Sequence, residues 1–344
     1  MSENGVPRRR EQIREIIERE GLGAIVLSRF PNFAWYTGGG DNRVDHSAPF
    51  GVADIVVTPT HECVVTSNIE AGRMRDEGPP GFEVVAYPWY EDNSLILADL
   101  SEGKPIGSDG TVQGSRDVTQ QIAALRRVLD DGAVAQYREV GALAVAAMDE
   151  ACSSLAPGMR EWDAVARLEA ACRHRGLYSP VAMAAGDDRI VEYRHPVVRG
   201  IRFTHRVMLV LCAERYGLYA NLTRFVQFVE PDAELQQRFQ ACRTILARMR
   251  EEATRPGRTL AEAFADCKRY YADAGYPEEW QLHHQGGMTG YATREIIATS
   301  RTAVDIQIGQ AFAWNPSITG AKEEETFVLT PAGPGVLTGE YLSL

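Results

Sequence analysis

The chain has 344 residues, 44% of them apolar and 24% charged, an ordinary globular composition with length enough for two cores. Its net charge of −11 excludes a polybasic nucleic-acid groove and a basic membrane patch, since both need positive potential. Six scattered cysteines without C-x-x-C spacing, an N-terminus without an apolar leader core and no run near 18 apolar residues predict a soluble, cytoplasmic protein with reduced thiols.

In chain order, isoleucines 13, 16 and 17 recur at helical spacing and predict a helix over 8–20, stopped by Gly21 and Gly23. Ala24–Leu27 reads as a short buried strand. Pro31-Asn32 and Gly38-Gly39-Gly40 bracket an aromatic patch of Phe33, Trp35 and Tyr36. Residues 54–58 and 62–66 predict a hairpin around Pro59-Thr60. Strands at 82–87 and 103–108 and a helix over 120–129 complete a small α/β domain with a mixed sheet, assigned to residues 1–130. Asp130-Asp131-Gly132 is the predicted boundary, with the second domain over 131–344.

That second domain carries a repeat. A helix over 134–155, Pro157-Gly158, a helix over 160–175 and Gly176 are echoed by a helix over 232–253, Pro256-Gly257, a helix to Ala274 and Gly275. The proline and the closing glycine lie 19 residues apart in both copies (176 − 157 and 275 − 256). A histidine-bearing loop follows each: His195 in the first, His283-His284 in the second. Paired strands follow at 206–213 and 218–228, then at 311–314 and 325–330. The fold class is therefore α+β, with a pseudo-twofold second domain around a curved antiparallel sheet.

The stretch from Gln281 to Glu295 concentrates chemistry: two adjacent imidazoles, Gly286, Gly287 and Gly290, Tyr291 and an Arg294-Glu295 pair. Glycines permit close backbone approach to a ligand, and histidines carry protons or bind metals near neutrality. The stretch reads as an active-site floor. His195 and His284 are candidate proton carriers, since hydrolysis of an amide-like bond needs an activated water and a proton for the leaving nitrogen. Arg294 suits either a substrate carboxylate or a nearby acid.

Tyr193-Arg194-His195-Pro196, Tyr219 to Arg224, His284-Gln285-Gly286-Gly287 and Glu324-Glu325-Thr326, in this order and spacing, resemble the creatinase, prolidase and methionine-aminopeptidase superfamily. Its catalytic domain is the pita-bread fold. Residues 32–38 are similar to the family's N-terminal domain, so the resemblance spans nearly the whole chain. Family peptidases hold two divalent metals with two aspartates, a histidine and two glutamates. The resemblance carries the histidine onto His284 and the second glutamate onto Glu324. It carries the second aspartate onto Asn221 and the first glutamate onto Asn315, and the first aspartate into residues 210–213, which hold no carboxylate.

One histidine, one carboxylate and two amides hold too little charge for a pair of hard cations, so no metal and no cofactor are expected. Creatinase is the family's precedent for metal-free C–N hydrolysis. The resemblance implies His195 as general acid/base, Glu324 as a catalytic or substrate-holding carboxylate and Tyr219 as a substrate contact. Tyr291, Arg294, Asn221, Asn315 and His283 join it as expected substrate-binding residues. Thr223 stands where creatinase has a second glutamate, which argues against guanidinium substrates. The family also implies a homodimer, with N-terminal residues such as Trp35, Arg43, Asp45 and His46 near the partner's cleft. The expected function is hydrolysis of a C–N bond in a small amino-acid-like molecule. An Xaa-Pro-type peptidase with one atypical metal and a non-catalytic binding protein are the alternatives.

Overall fold

The computed structural model describes residues 6–110 and 112–339. The reading of the extreme N-terminus rests partly on residues 1–5, outside that set. The chain divides into two compact units, Met1–Ala133 and Val134–Leu344.

In the first unit, α1 (Val6–Glu20) buries Ile13, Ile16 and Ile17 on one face, as their spacing dictates. The sheet runs β4-β3-β2-β1-β5-β6, with β1 Ala24–Leu27, β2 Ala53–Val57, β3 Glu62–Ser67, β4 Glu83–Tyr87, β5 Ile106–Ser108 and β6 Arg116–Asp117. The β2–β3 hairpin is antiparallel and β3–β4 and β1–β5 are parallel, so the sheet is mixed. The aromatic patch is helix α2 (Phe30–Thr37), with Pro31 in its first turn, where a missing N–H costs nothing. Trp35 is 3% exposed, inside this unit's core. Arg43 stacks on Phe30, 3.2 Å from the ring centroid, and pairs with Asp41. Three short helices, α3 (Ala71–Asp76), α4 (Ser94–Leu100) and α5 (Thr119–Arg126), complete it. The first two are too brief to show a period in the sequence.

The residues read as a boundary, Asp130 to Gly132, run into helix α6 (Asp131–Ser153), with Asp131 in its first turn. After α7 (Glu161–His174) comes a strand that sequence reading missed, β7 (Tyr178–Gly186). Its apolar and polar residues do not alternate, and Pro180 sits where the register slips between Tyr178 and Val181, an irregularity that admits proline. A short α8 (Asp188–Glu192) precedes the long antiparallel pair β8 (Arg206–Arg215) and β9 (Leu218–Gln227).

The second copy begins with α9 (Ala233–Arg248), which ends in a π-turn over Met249–Ala253, and continues with α10 (Leu260–Asp273). Its sheet is β11-β10-β12-β15-β16, from β10 Gly286–Thr289, β11 Ile296–Ile297, β12 Ala311–Trp314, β15 Glu325–Thr330 and β16 Gly333–Val336. A small hairpin, β13 (Ser317–Ile318) and β14 (Ala321–Lys322), interrupts it. The repeat extends to detail. The residue capping the second helix of each copy forms an isolated antiparallel bridge to a later loop, Arg160 with Arg202 and Thr259 with Asp305. Thr326 joins the two sheets, accepting from Asn221 N at 2.8 Å and donating to Asn221 O at 2.9 Å.

All six cysteines are buried free thiols. Among the described residues, no helix is long and apolar enough to cross a membrane.

Candidate active site

The β8–β9 register pairs Val210 with Thr223, Cys212 with Asn221 and Glu214 with Tyr219. Directly opposed residues in an antiparallel pair share a face, so these six line one side of the sheet. The position the resemblance assigns to the first metal-binding aspartate is narrowed by this register to the neighbourhood of Val210 and Cys212. Glu214 shares their face but folds back on the turn, accepting from Gly217 N at 2.9 Å. Burial pushes the Cys212 thiol up to about 12, so it is no thiolate nucleophile at neutral pH.

Glu324 reaches this face from the end of β14. It is 3% exposed, and both its oxygens are engaged. Oε1 accepts from Arg294 Nη2 at 2.9 Å; Oε2 accepts from Lys322 Nζ at 2.9 Å and from Thr223 Oγ1 at 2.7 Å. Burial pushes this carboxyl up, but Lys322 and Arg294 more than reverse the effect and hold it well below the usual carboxylate range. One buried carboxylate thus carries two buried cations, and the array keeps a net charge of +1.

The histidines come together above it. His195 Nε2 lies 2.9 Å from His283 Nε2. The ring centroids are 4.6 Å apart for His195 and His283, 4.5 Å for His283 and His284 and 5.8 Å for His195 and His284. One ring nitrogen from each of the three lies within 4.8 Å of the others. Neighbouring bonds hold both loops. Arg194 donates to Glu279 Oε2 at 2.6 Å and to Thr319 Oγ1 at 2.9 Å, which ties the His195 loop to the turn before His283. Gln285, 1% exposed, donates to the His283 carbonyl at 2.6 Å and accepts from Tyr271 OH at 2.7 Å.

All three imidazoles are biased to the neutral form. Burial, then the Lys322 charge, pushes His283 down to about 3; burial, then Arg294, pushes His284 down to about 4. Burial and Lys322 also lower His195, against the pull of Glu324.

The glycines beside the histidines serve the sheet. A Cβ on Gly286 would meet Ala313 O at 2.0 Å, and one on Gly287 would meet Ile296 O at 2.3 Å; both residues have positive φ. The close approach expected toward a ligand is an approach to neighbouring strands.

The structure brings His195, His283, His284, Arg294 and Glu324 into one neighbourhood. Asn221 is fully buried on the same face, donating from Nδ2 to Thr289 Oγ1 and Tyr219 O, both at 3.2 Å. Asn315 follows Trp314, which is level with Glu325, so Asn315 comes level with Glu324. Neither Asn221 Oδ1 nor Asn315 Oδ1 has a hydrogen-bond partner among the described residues. Tyr291 is fully buried, as is Asn221. Tyr219 is half-buried, its carbonyl accepting from Tyr137 OH.

One participant escaped sequence reading. Lys322 precedes a run of three glutamates that reads as a solvated turn, yet it is 6% exposed. No local pattern marks it, because its inward turn depends on the hairpin that carries it.

A pair of divalent metals needs anionic oxygens. Here the aliphatic Val210, the amides Asn221 and Asn315, and a Glu324 already saturated by two cations and a hydroxyl stand in that region. The residues do not fit the family's two-metal centre.

No curated protein matches the chain. Among solved structures, the prolidase from Pyrococcus horikoshii OT3 matches with TM-score 0.82 and 17% identity over 97% of this chain and 99% of that one. The Xaa-Pro dipeptidase from Bacillus anthracis matches with TM-score 0.81 and 18% identity over 98% and 99%. The N-terminal domain of FACT complex subunit SPT16 from Cicer arietinum (chickpea) matches with TM-score 0.71 and 11% identity over 98% and 96%. At such identities the likeness is one of fold. Residues 135–331, more than half of the chain, match the model of metallopeptidase family M24, and with its helix pairs, repeated halves and antiparallel sheets the chain belongs to that family of peptide C–N hydrolases and carries its pita-bread fold.

Proposed function

We propose that the protein hydrolyses a C–N bond in a small, carboxylate-bearing, amino-acid-like substrate, and that its nucleophilic water is generated at His195, His283 and His284. The observation that carries this reading is the convergence of three neutral imidazoles beside an array of net charge +1. Neutral imidazoles offer lone pairs to a water and its proton. The residual positive charge favours a substrate anion and opposes a cation such as a guanidinium. His195, exposed at the cluster's edge, is the group best placed to meet substrate and return a proton to the leaving nitrogen. Glu324 is not a proton carrier in this reading: it stays ionised, and its role is to hold Arg294 and Lys322.

The likeness to a prolidase and to an Xaa-Pro dipeptidase makes Xaa-Pro dipeptides the natural first substrates. The test is a panel of dipeptides, Xaa-Pro included, N-acyl amino acids and their C-terminal amides. Cleavage is expected for the free acids, with the amides at least tenfold slower. His195→Ala is expected to lower turnover by two orders of magnitude or more, the scale of positioned acid/base catalysis, with an unchanged melting temperature. No cleavage across the panel would overturn the hydrolase reading and leave a ligand-binding protein on a hydrolase fold.

A further inference from the structure

We infer that His195, His283 and His284 form a mononuclear site for a nitrogen-preferring transition-metal ion of the Zn2+ or Co2+ class, separate in ligand type from the carboxylate centre of the family. As an account of where the hydrolytic water forms, this rests on the function proposed above; as a binding site it stands on geometry alone.

One ring nitrogen from each histidine lies within 4.8 Å of the other two, and two of them are 2.9 Å apart. Tetrahedral zinc at Zn–N distances of about 2.0–2.1 Å separates its ligand nitrogens by about 3.3 Å. Shifts of a few tenths of an ångström to roughly an ångström and a half therefore gather the three around one ion. Two further observations point to a ligand. His283, 8% exposed, turns Nε2 toward His195 Nε2, and the buried Nδ1 of His284 has no hydrogen-bond partner among the described residues. A buried imidazole with an unused nitrogen forfeits part of its hydrogen-bonding capacity, a loss that native interiors rarely tolerate without a reason. His195 sits on the exposed rim, which leaves a fourth position open to water or substrate, as catalytic mononuclear sites require.

The class of ion follows from what is missing. Both oxygens of Glu324 are engaged by Arg294, Lys322 and Thr223, so the cluster offers nitrogen donors and no free carboxylate. Manganese and magnesium depend on anionic oxygen, whereas imidazole suits zinc, cobalt, nickel and copper. The adjacent net positive charge penalises further any ion held by charge alone. The tether between Arg194 and Glu279 presets the approach of the two loops, so little ordering remains for the ion to impose.

The test uses the full chain, stripped with a chelator and titrated calorimetrically with Zn2+, with Co2+ followed by visible absorption. Expected are one Zn2+ per chain, a tetrahedral Co2+ band that Zn2+ abolishes, and no heat with Mg2+ or Mn2+ at millimolar concentration. His195→Ala, at an exposed position, is expected to weaken Zn2+ at least a hundredfold with unchanged circular dichroism. His283→Gln serves as a second ligand variant and is expected to do the same. Absence of stoichiometric Zn2+ binding overturns the inference, as does wild-type affinity in both variants or displacement of Zn2+ by Mn2+. Because no substrate is present, a chain that binds Zn2+ yet cleaves nothing would refute the hydrolase reading alone.

Discussion

The array around Glu324 makes a quantitative prediction. Glu324→Gln keeps shape and hydrogen-bonding reach but removes the one negative charge from between Lys322 and Arg294, whose side chains are 7% and 12% exposed. Removing one partner from a buried pair leaves uncompensated charge and costs about 3–5 kcal/mol. Lys322→Met leaves Glu324 with Arg294 and Thr223, so its cost is smaller, about 1–3 kcal/mol. In the double variant only Arg294 remains unpaired, because the methionine removes the second charge that Glu324→Gln by itself leaves stranded. The double variant is therefore expected to be more stable than the sum of the singles by about 2 kcal/mol. Urea denaturation of chelator-treated protein at pH 7.5 measures all three. The reasoning also fixes a pH dependence. The folded carboxyl titrates below its ordinary value of 4.5, so its contribution is fully present above that value and is lost as pH falls through the lowered one. The gap between wild type and Glu324→Gln should be flat from pH 8 to 5 and narrow below 4.5. Additivity within about 0.5 kcal/mol, or a cost below about 1 kcal/mol for Glu324→Gln, would show that the three charges are not coupled as drawn.

Two further outcomes test the site's surroundings. His283 is held neutral when folded, at about 3 against an ordinary 6.5, so below pH 6.5 the unfolded chain gains a proton that the metal-free folded one refuses. At pH 5 this amounts to one and a half pH units, about 2 kcal/mol of lost stability relative to pH 8. His283→Asn should flatten the pH dependence by that amount, and an unchanged slope would mean that the ring is protonated in the fold. Gly286→Ala drives a Cβ to 2.0 Å from Ala313 O at φ 98°, whereas Gly275→Ala, at φ 88°, meets nothing within 4 Å. The second should cost about 1 kcal/mol, the backbone term alone, and the first well over about 3 kcal/mol or the fold itself; equal effects would remove the close strand approach as the reason for Gly286.

What the sequence disclosed, and what it hid, follows the range of the interactions involved. Ile13, Ile16 and Ile17 are a local pattern, and α1 lies where they predict it. The Pro-Gly repeat is local in each copy, and the two copies do fold alike, down to the bridges from Arg160 and Thr259. By contrast β7 has no alternation to read, and α2 was concealed because a helix buried on every side shows no polar face. At the site, His195 and His284 stood out by residue type and motif. The bond from His195 to His283 joins residues 88 apart, and Lys322 turns inward only because a two-residue hairpin precedes it. Nothing within a dozen residues of His195 or His283 encodes their pairing, and only the hairpin turns Lys322 onto Glu324, two residues on. Glu324 was legible as a site residue, but its chemistry was not, since that depends on Arg294 and Thr223, 30 and 101 residues away.

Charge shows why a pita-bread scaffold tolerates these replacements. Two aspartates, two glutamates and two divalent ions sum to zero in the two-metal arrangement that the resemblance implies. By that resemblance three carboxylates give way to an uncharged residue within 210–213, Asn221 and Asn315, and Lys322 and Arg294 face Glu324, which corresponds to the fourth. The balance is then +1, close to the neutral total that a low-dielectric interior demands. A carboxylate on the substrate restores neutrality. An ion on the three imidazoles would add two positive charges, of which ionisation of its water and the substrate's carboxylate each remove one. Without an ion the substrate's own anion brings the total to zero, as protein carboxylates do in the two-metal centre; with one, the total returns to the +1 of the free array. Discrimination between a free acid and its amide therefore belongs to the charge array of Glu324, Lys322 and Arg294, and Lys322→Met, which brings that array to zero, should erase most of it while leaving the histidine cluster in place.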